Sequence, residues 1–125
     1  MRGASALERV LHELPGLPLR VFVVWEPVLL LDTAPPTTAG LALVGDRRAS
    51  QYWDERRLLS TAILDARRAE PGDLGIVWDW VAVFDPGVRW PGVRRADAFP
   101  APRWQGRPVV DVVDELRATL RKIAP

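Results

Sequence analysis

The chain has 125 residues, enough for one domain whose core closes without covalent staples, and its 48% hydrophobic and 26% charged residues place it among ordinary globular chains. Seventeen Lys and Arg against sixteen Asp and Glu leave a formal charge of +1, so no global field draws nucleic acid or an anionic membrane. The absence of cysteine excludes disulfides, a thiolate nucleophile and cysteine-ligated metal centres, and a single histidine, His12, excludes histidine-rich zinc sites.

From the N-terminus, Ala4, Leu7, Val10, Leu11 and Leu14 recur at three- and four-residue steps, which predicts an amphipathic helix stopped by Pro15-Gly16. The segment Leu19–Trp25 is apolar on both alternating faces and rich in β-branched residues, the pattern of a strand covered on both sides. After the apolar run Val28–Leu31 and a proline-rich loop, Thr37 or Thr38 caps a short helix reaching Val44, and Ala49–Trp53 reads as a short strand. Asp54 is placed as the N-cap of a helix over Glu55–Arg68.

Beyond the Pro71-Gly72 turn, Ile76–Phe84 carries the strongest strand pattern in the chain. Asp85-Pro86-Gly87 has turn chemistry, so Val88-Arg89-Trp90 is expected to return as an antiparallel strand. Pro91–Arg107 reads as a long ordered loop. The chain closes with a helix that starts at Pro108 and buries Val109, Val113, Leu116, Leu120 and Ile123. Neither a signal-peptide run at Met1–Leu14 nor a stretch of about 18 consecutive apolar residues occurs, so the expected compartment is the cytoplasm.

The element order, together with Trp25-Glu26-Pro27 closing a strand, Asp46 and Arg48 ahead of Tyr52-Trp53-Asp54, and Trp78-Asp79 opening the hairpin strand, resembles an uncharacterised group of bacterial thioredoxin-like proteins. The resemblance covers about Ala4 to Trp90. It implies a thioredoxin-like α/β domain spanning 1–125, N-terminally truncated, with parallel strands and a C-terminal antiparallel hairpin flanked by helices. The family's first core strand, its Cys-x-x-Cys and the cis-proline before the hairpin strand have no counterpart, since Asp73-Leu74-Gly75 stands where that proline belongs. In the complete fold, the absent strand lies between the counterparts of Leu19–Trp25 and Ile76–Phe84. Those segments are expected either to pair directly or to leave open edges that invite a partner strand.

Ligands of open α/β sheets collect beyond the carboxyl ends of parallel strands, which singles out Trp25, Glu26 and Asp32, joined by Arg48 and Asp54. The competing structural reading has Asp54 capping a helix, Glu26 paired with Arg48 and Trp25 in the core. Asp79, a carboxylate between two tryptophans, is expected to bind an arginine, a backbone or indole N–H, or to face solvent; a general acid/base role would need partners that the chain does not supply. His12 reads as a solvated helix residue.

Arg89, Trp90, Arg94, Arg95, Phe99, Arg103, Trp104 and Arg107 mix guanidinium and aromatic groups, as single-strand nucleic-acid surfaces do. Near-neutral charge favours a loop with its aromatics tucked in. Six tryptophans are many for this length, and exposed ones would mark a protein contact surface.

The leading functional expectation is a non-catalytic interaction or ligand-binding module that uses no cofactor and no metal and meets a protein partner or a second copy through an open sheet edge or exposed Trp. A thiol–disulfide oxidoreductase-like protein, with its strand and Cys-x-x-Cys upstream of Met1, and a weak single-stranded nucleic-acid binder are the alternatives.

Overall fold

The computed structural model describes residues 2–27, 34–67, 76–90 and 99–123. The amphipathic N-terminal segment forms α1 (Arg2–Glu13) and buries Ala6, Val10 and Leu11. Proline at 15 cannot extend the helix, and the chain leaves through bonds from Leu14 N–H to the Leu11 carbonyl and from Leu17 N–H to the Leu14 carbonyl.

The carbonyls at this end find their donor far away in sequence. Arg48 Nη2 donates to Leu11 O at 2.8 Å, and Nη1 donates to Leu14 O at 2.8 Å and Leu17 O at 3.1 Å. Asp46 holds the fork, accepting from Nε at 2.8 Å and Nη2 at 2.7 Å, while its own N–H donates to Glu8 of α1 at 3.2 Å. The turn before the second strand is thereby fastened to the end of the first helix. The Arg48 guanidinium holds the Asp46 carboxyl down at about 2.

The next strands are β1 (Val21–Trp25) and β2 (Ala49–Trp53), paired in parallel from Val21↔Ala49 to Trp25↔Trp53. Parallel pairing needs a crossover, which here contains α2 (Thr38–Leu41), capped by Thr37 Oγ1 accepting from Gly40 N–H at 3.1 Å. Gln51 of β2 ties the crossover down: Nε2 donates to Leu41 O at 2.8 Å and Val44 O at 3.0 Å, and Oε1 accepts from Trp25 Nε1 at 2.9 Å. The cap at 37 and both strand positions follow the sequence reading. Cover on both faces of β1 does not: Phe22 is 63% exposed and Tyr52 beside it 53%, because this strand pair has nothing packed on that side among the described residues.

After α3 (Leu58–Arg67), the expected nine-residue strand is reduced to β3 (Val81–Val83). Asp79 adopts φ 49°, a left-handed conformation that no strand accommodates, and the pattern is cut there. The antiparallel partner is also different from the expected Val88-Arg89-Trp90. It is β4 (Trp104–Gly106), in register Val81↔Gly106 to Val83↔Trp104. Asp85-Pro86-Gly87 does turn, with Val88 N–H bonded to Asp85 O at 3.2 Å, but Val88 and Arg89 remain exposed. Trp104 instead brings a large apolar ring against Val10, Val83, Leu116 and Leu120, and Arg103 pairs with Asp85. Burial of the indole decides the partner.

Pro108, in cis, leads into a 3-10 turn (Val109–Asp111) and α4 (Val113–Ile123), where Val109, Leu116 and Leu120 are buried as the periodicity requires. Arg117 of α4 reaches Glu13 of α1 at 2.5 Å and Asp114 at 2.7 Å. One apolar cluster joins α1, β3, β4 and α4, and a second gathers Ile63, Leu64 and Val77 with Leu59, Trp80 and Phe99. The architecture is thus mixed α/β, with one parallel and one antiparallel strand pair among helices. Among the described residues β1 does not pair with the 76–84 run; direct pairing of those segments is not the solution this chain adopts.

Arg48→Met keeps the stem but removes the fork. It should destabilise the fold by about 2–3 kcal/mol, read from chemical denaturation at neutral pH. The depressed Asp46 carboxyl contributes stability that is complete above pH 3.8 and disappears as pH falls toward about 2. That acid-side slope should be absent in Arg48→Met, and a variant as stable and as acid-sensitive as the parent would contradict this role.

Candidate functional site

Because β1 and β2 run parallel, the residues that follow them emerge at the same end of the pair, and these are Glu26 and Asp54. The last ladder bond, from Asp54 N–H to Trp25 O at 2.8 Å, holds the two exits together. The chain then turns sharply, with Arg57 at φ 55° and its N–H on Asp54 O at 3.2 Å, before entering α3.

The first turn of a helix presents N–H groups without intrahelical partners, and both carboxylates answer them. Asp54 Oδ2 accepts from Leu59 N–H at 2.8 Å. Glu26 Oε1 accepts from Ser60 N–H at 3.1 Å, and Glu26 Oε2 accepts from the Ser60 hydroxyl. Ser60 Oγ in turn accepts from Val77 N–H at 2.8 Å, and Arg57 Nε donates to Pro27 O at 2.7 Å. Ser60 is only 1% exposed, so its hydroxyl is a structural link and not an accessible nucleophile.

Half-burial pushes the Glu26 carboxyl up to about 6; the Asp54 carboxyl beside it adds to the rise, and the two donors of Ser60 oppose it. Glu26 therefore changes charge close to neutrality.

Of the residues singled out from sequence, the structure joins Glu26 and Asp54 in one cluster directly after Trp25. Trp25 itself is half-buried and gives its indole N–H to Gln51. Arg48 does not belong to this cluster. It precedes β2, at the opposite end of the strand pair, where it serves α1; the expected Glu26–Arg48 pair is replaced by Glu26–Ser60. Asp32 lies outside the described residues, as do Arg94 and Arg95.

Asp79 sits in a bend instead of a strand. Its Oδ1 accepts from Val109 N–H at 3.2 Å and lies against Gly3, so close that a Cβ there would collide with it. A carboxylate in this position also suits the positive end of α1. His12 is exposed. In the basic aromatic stretch, Trp104 packs in the core, and Phe99 meets Trp80, Phe84 and Trp90 at 6.4, 5.7 and 5.4 Å between ring centroids. These rings are turned toward one another.

Sequence reasoning missed Ser60 and Arg57. Ser60 was detectable, because it precedes Ile63 and Leu64 by three and four positions and so shares their buried stripe, where a hydroxyl needs a partner. Arg57 carries no such signal, since a left-handed arginine is set by the turn it occupies.

Among the described residues no group of three or more His, Asp and Glu side chains is placed to hold a metal ion, and no helix is long and apolar enough to cross a membrane. Comparison with known proteins finds no matching family model, curated relative or solved structure.

The raised Glu26 carboxyl contributes stability that is complete below pH 4.5 and is lost as pH rises through about 6. Glu26→Gln should flatten this segment of the stability profile, a change of about 1 kcal/mol once solvent screening is allowed for. An unaltered slope in denaturation midpoints across this range would refute the assignment. At Asp79, asparagine tolerates the left-handed conformation and keeps an acceptor, so Asp79→Asn should lie within about 1 kcal/mol of the parent, whereas Asp79→Val should cost about 2–3 kcal/mol. Equal melting of the two variants would show that neither the bend nor the bond to Val109 matters.

Proposed function

We propose that this chain is a thioredoxin-like domain without redox cysteines that acts as a non-catalytic interaction module, accepting an extended strand of a protein partner along the free edge of β1. The observation that carries the reading is the parity of the ladder. Val21 N–H bonds to Arg48 O at 3.0 Å and Trp25 O accepts from Asp54 N–H, so Val21, Val23 and Trp25 direct their backbone groups at β2. The N–H and C=O of Phe22 and Val24 point the other way, and they have no partner among the described residues. An extended backbone is the complement of such an edge.

Two further features support this reading. The exposed rings of Phe22 and Tyr52 lie 6.4 Å apart on one face of the strand pair, giving an incoming strand apolar surface beside the edge. The carboxylates, by contrast, are engaged in holding α3 and α1, and cysteine is absent. The thioredoxin-like assignment itself rests on the order of helices and strands and on the local strings around Trp25, Trp53 and Trp78. A cytoplasmic location accords with the cysteine-free composition.

Selection from a displayed library of unbiased short peptides, followed by NMR titration of the selected sequences, tests the proposal. Binders should be extended, should shift the amides of residues 21–25 most strongly, and should lose at least tenfold in affinity when alternate peptide nitrogens are methylated or when Phe22 is replaced by Asp. Selected peptides that bind elsewhere, or that tolerate N-methylation, would defeat it. So would self-association abolished by Phe22→Asp in the absence of peptide binding, which would assign the edge to a second copy.

A further inference from the structure

Helical spacing puts Arg2, Ser5, Ala6 and Arg9 on one side of α1. Opposite them stand Val110, from the 3-10 turn, and Val113, the first residue of α4, and these six residues line an open groove of about 460 Å³. Residue 3 is glycine, which lets the helix come this close to the turn: a Cβ there would collide with Asp79 Oδ1 and stand 3.4 Å from Val109 Cβ. Asp79 fastens the same corner by accepting from Val109 N–H at 3.2 Å, and Ala6 and Val109 are buried. Packing therefore sets both walls of the groove without a ligand.

The polar side of the groove is uncommitted. Arg2, Ser5 and Arg9 are exposed, and among the described residues their side chains make no hydrogen bond or ion pair. The nearby carboxylates are engaged elsewhere: Glu13 and Asp114 with Arg117, Glu8 with Asp46 N–H, and Asp79 with Val109 N–H. The Glu13 carboxyl is held low chiefly by Arg117, and Arg9 is the weakest of the three arginines acting on it. Asp111, next to Val110, is exposed and sets one negative charge against the two guanidinium groups.

We propose that this groove binds a small phosphate monoester with an apolar body, its phosphate over Ser5 between the two guanidinium groups and its body on Val110 and Val113. At a rise of about 1.5 Å per residue, Ser5 lies about 4.5 Å along the axis from Arg2 and about 6 Å from Arg9, so both long side chains reach one group placed there. A guanidinium fork matches two oxygens of a tetrahedral oxyanion, and the Ser5 hydroxyl adds a donor. A phosphate monoester carries about −1.5 to −2 charge at neutral pH and answers two arginines, where a carboxylate answers one. The valine wall favours carbon on the remaining side of the ligand. Since both guanidinium groups are exposed, binding is weak and falls with salt. The site goes beyond the strand-accepting edge and does not depend on it, because no residue of β1 lines the groove.

The test is an NMR titration of the intact chain with n-butyl phosphate at neutral pH and low salt. Saturable shifts should centre on the amides of residues 2–9 and 110–113, with a dissociation constant on the order of 1 mM, while residues 21–25 stay unchanged. Inorganic phosphate and butyrate should each bind at least about fivefold more weakly, the first for want of an apolar body and the second for want of charge. Arg2→Gln combined with Arg9→Gln should weaken n-butyl phosphate by at least about tenfold. Val110→Thr, which keeps the side-chain shape, should narrow the gap between n-butyl phosphate and inorganic phosphate without changing the affinity of the latter. Absence of saturable shifts, shifts centred elsewhere, or undiminished binding by the double arginine variant would each overturn the site. Inorganic phosphate or butyrate binding as tightly as n-butyl phosphate would overturn the ligand class.

Discussion

Where α1 ends, the carbonyls of Leu11, Leu14 and Leu17 each accept one turn N–H, and a single guanidinium donates to all three as well. Arg48 also stands immediately before β2, so the place where the helix stops determines where the strand begins. The bidentate bond to Asp46 orients the fork, and Glu8 holds the Asp46 backbone from the helix side. Planar geometry and permanent charge suit arginine to this task, since a lysine ammonium could not address three carbonyls and a carboxylate with fixed direction. Everything beyond follows from that anchor: β2 takes its register on β1, the two strands finish together, and Glu26 and Asp54 are delivered side by side to the first turn of α3.

Three partly buried carboxylates share a common logic. Asp54 and Glu26 answer the N–H groups of α3, and Asp79 answers Val109 while sitting at the start of α1. Each would be costly in its setting without such donors, and each holds together segments that are distant along the chain. The consequence for function is that the acidic residues most suggestive of chemistry are the ones most engaged in structure. Glu26 differs from the other two in that its half-burial, with the Asp54 carboxyl adding to the effect, raises its pKa to about 6.

The two strand pairs belong to different environments. Val83 of β3 and Trp104 of β4 lie in the cluster formed with α1 and α4, so the antiparallel pair is anchored by apolar packing. The parallel pair is anchored mainly by polar ties at its ends, from Arg48 at the start and from Asp54 and Glu26 at the finish, while Phe22 and Tyr52 face solvent between them. Among the described residues, the backbone of Phe22 and Val24 between these anchored ends has no pairing partner.

The sequence by itself was sufficient for features that depend on a few neighbouring residues. The stripe Ala6, Val10 and Leu11 in α1, the Thr37 cap, the five residues of β2, the turn at Asp85–Gly87 and the buried stripe of the last helix are all set within one or two turns of chain, where capping, periodicity and turn chemistry act. The helix expected over Glu55–Arg68 instead starts at Leu58, and Asp54, placed as its N-cap, reaches Leu59 N–H across the intervening turn. What only the tertiary structure decided is which distant groups meet. Val88-Arg89-Trp90 satisfied every local rule for the partner of β3, yet Trp104 displaced it because a large ring gains more from the α1–α4 core than Val88 and Arg89 can. Asp79 left the strand because a donor at Val109, thirty residues away, and the start of α1 reward a bend there. Arg48 turned from Glu26 to the carbonyls of α1, and Ser60 took its place, since a buried donor or acceptor is satisfied by whatever the packed chain brings within reach, and sequence distance carries no information about that.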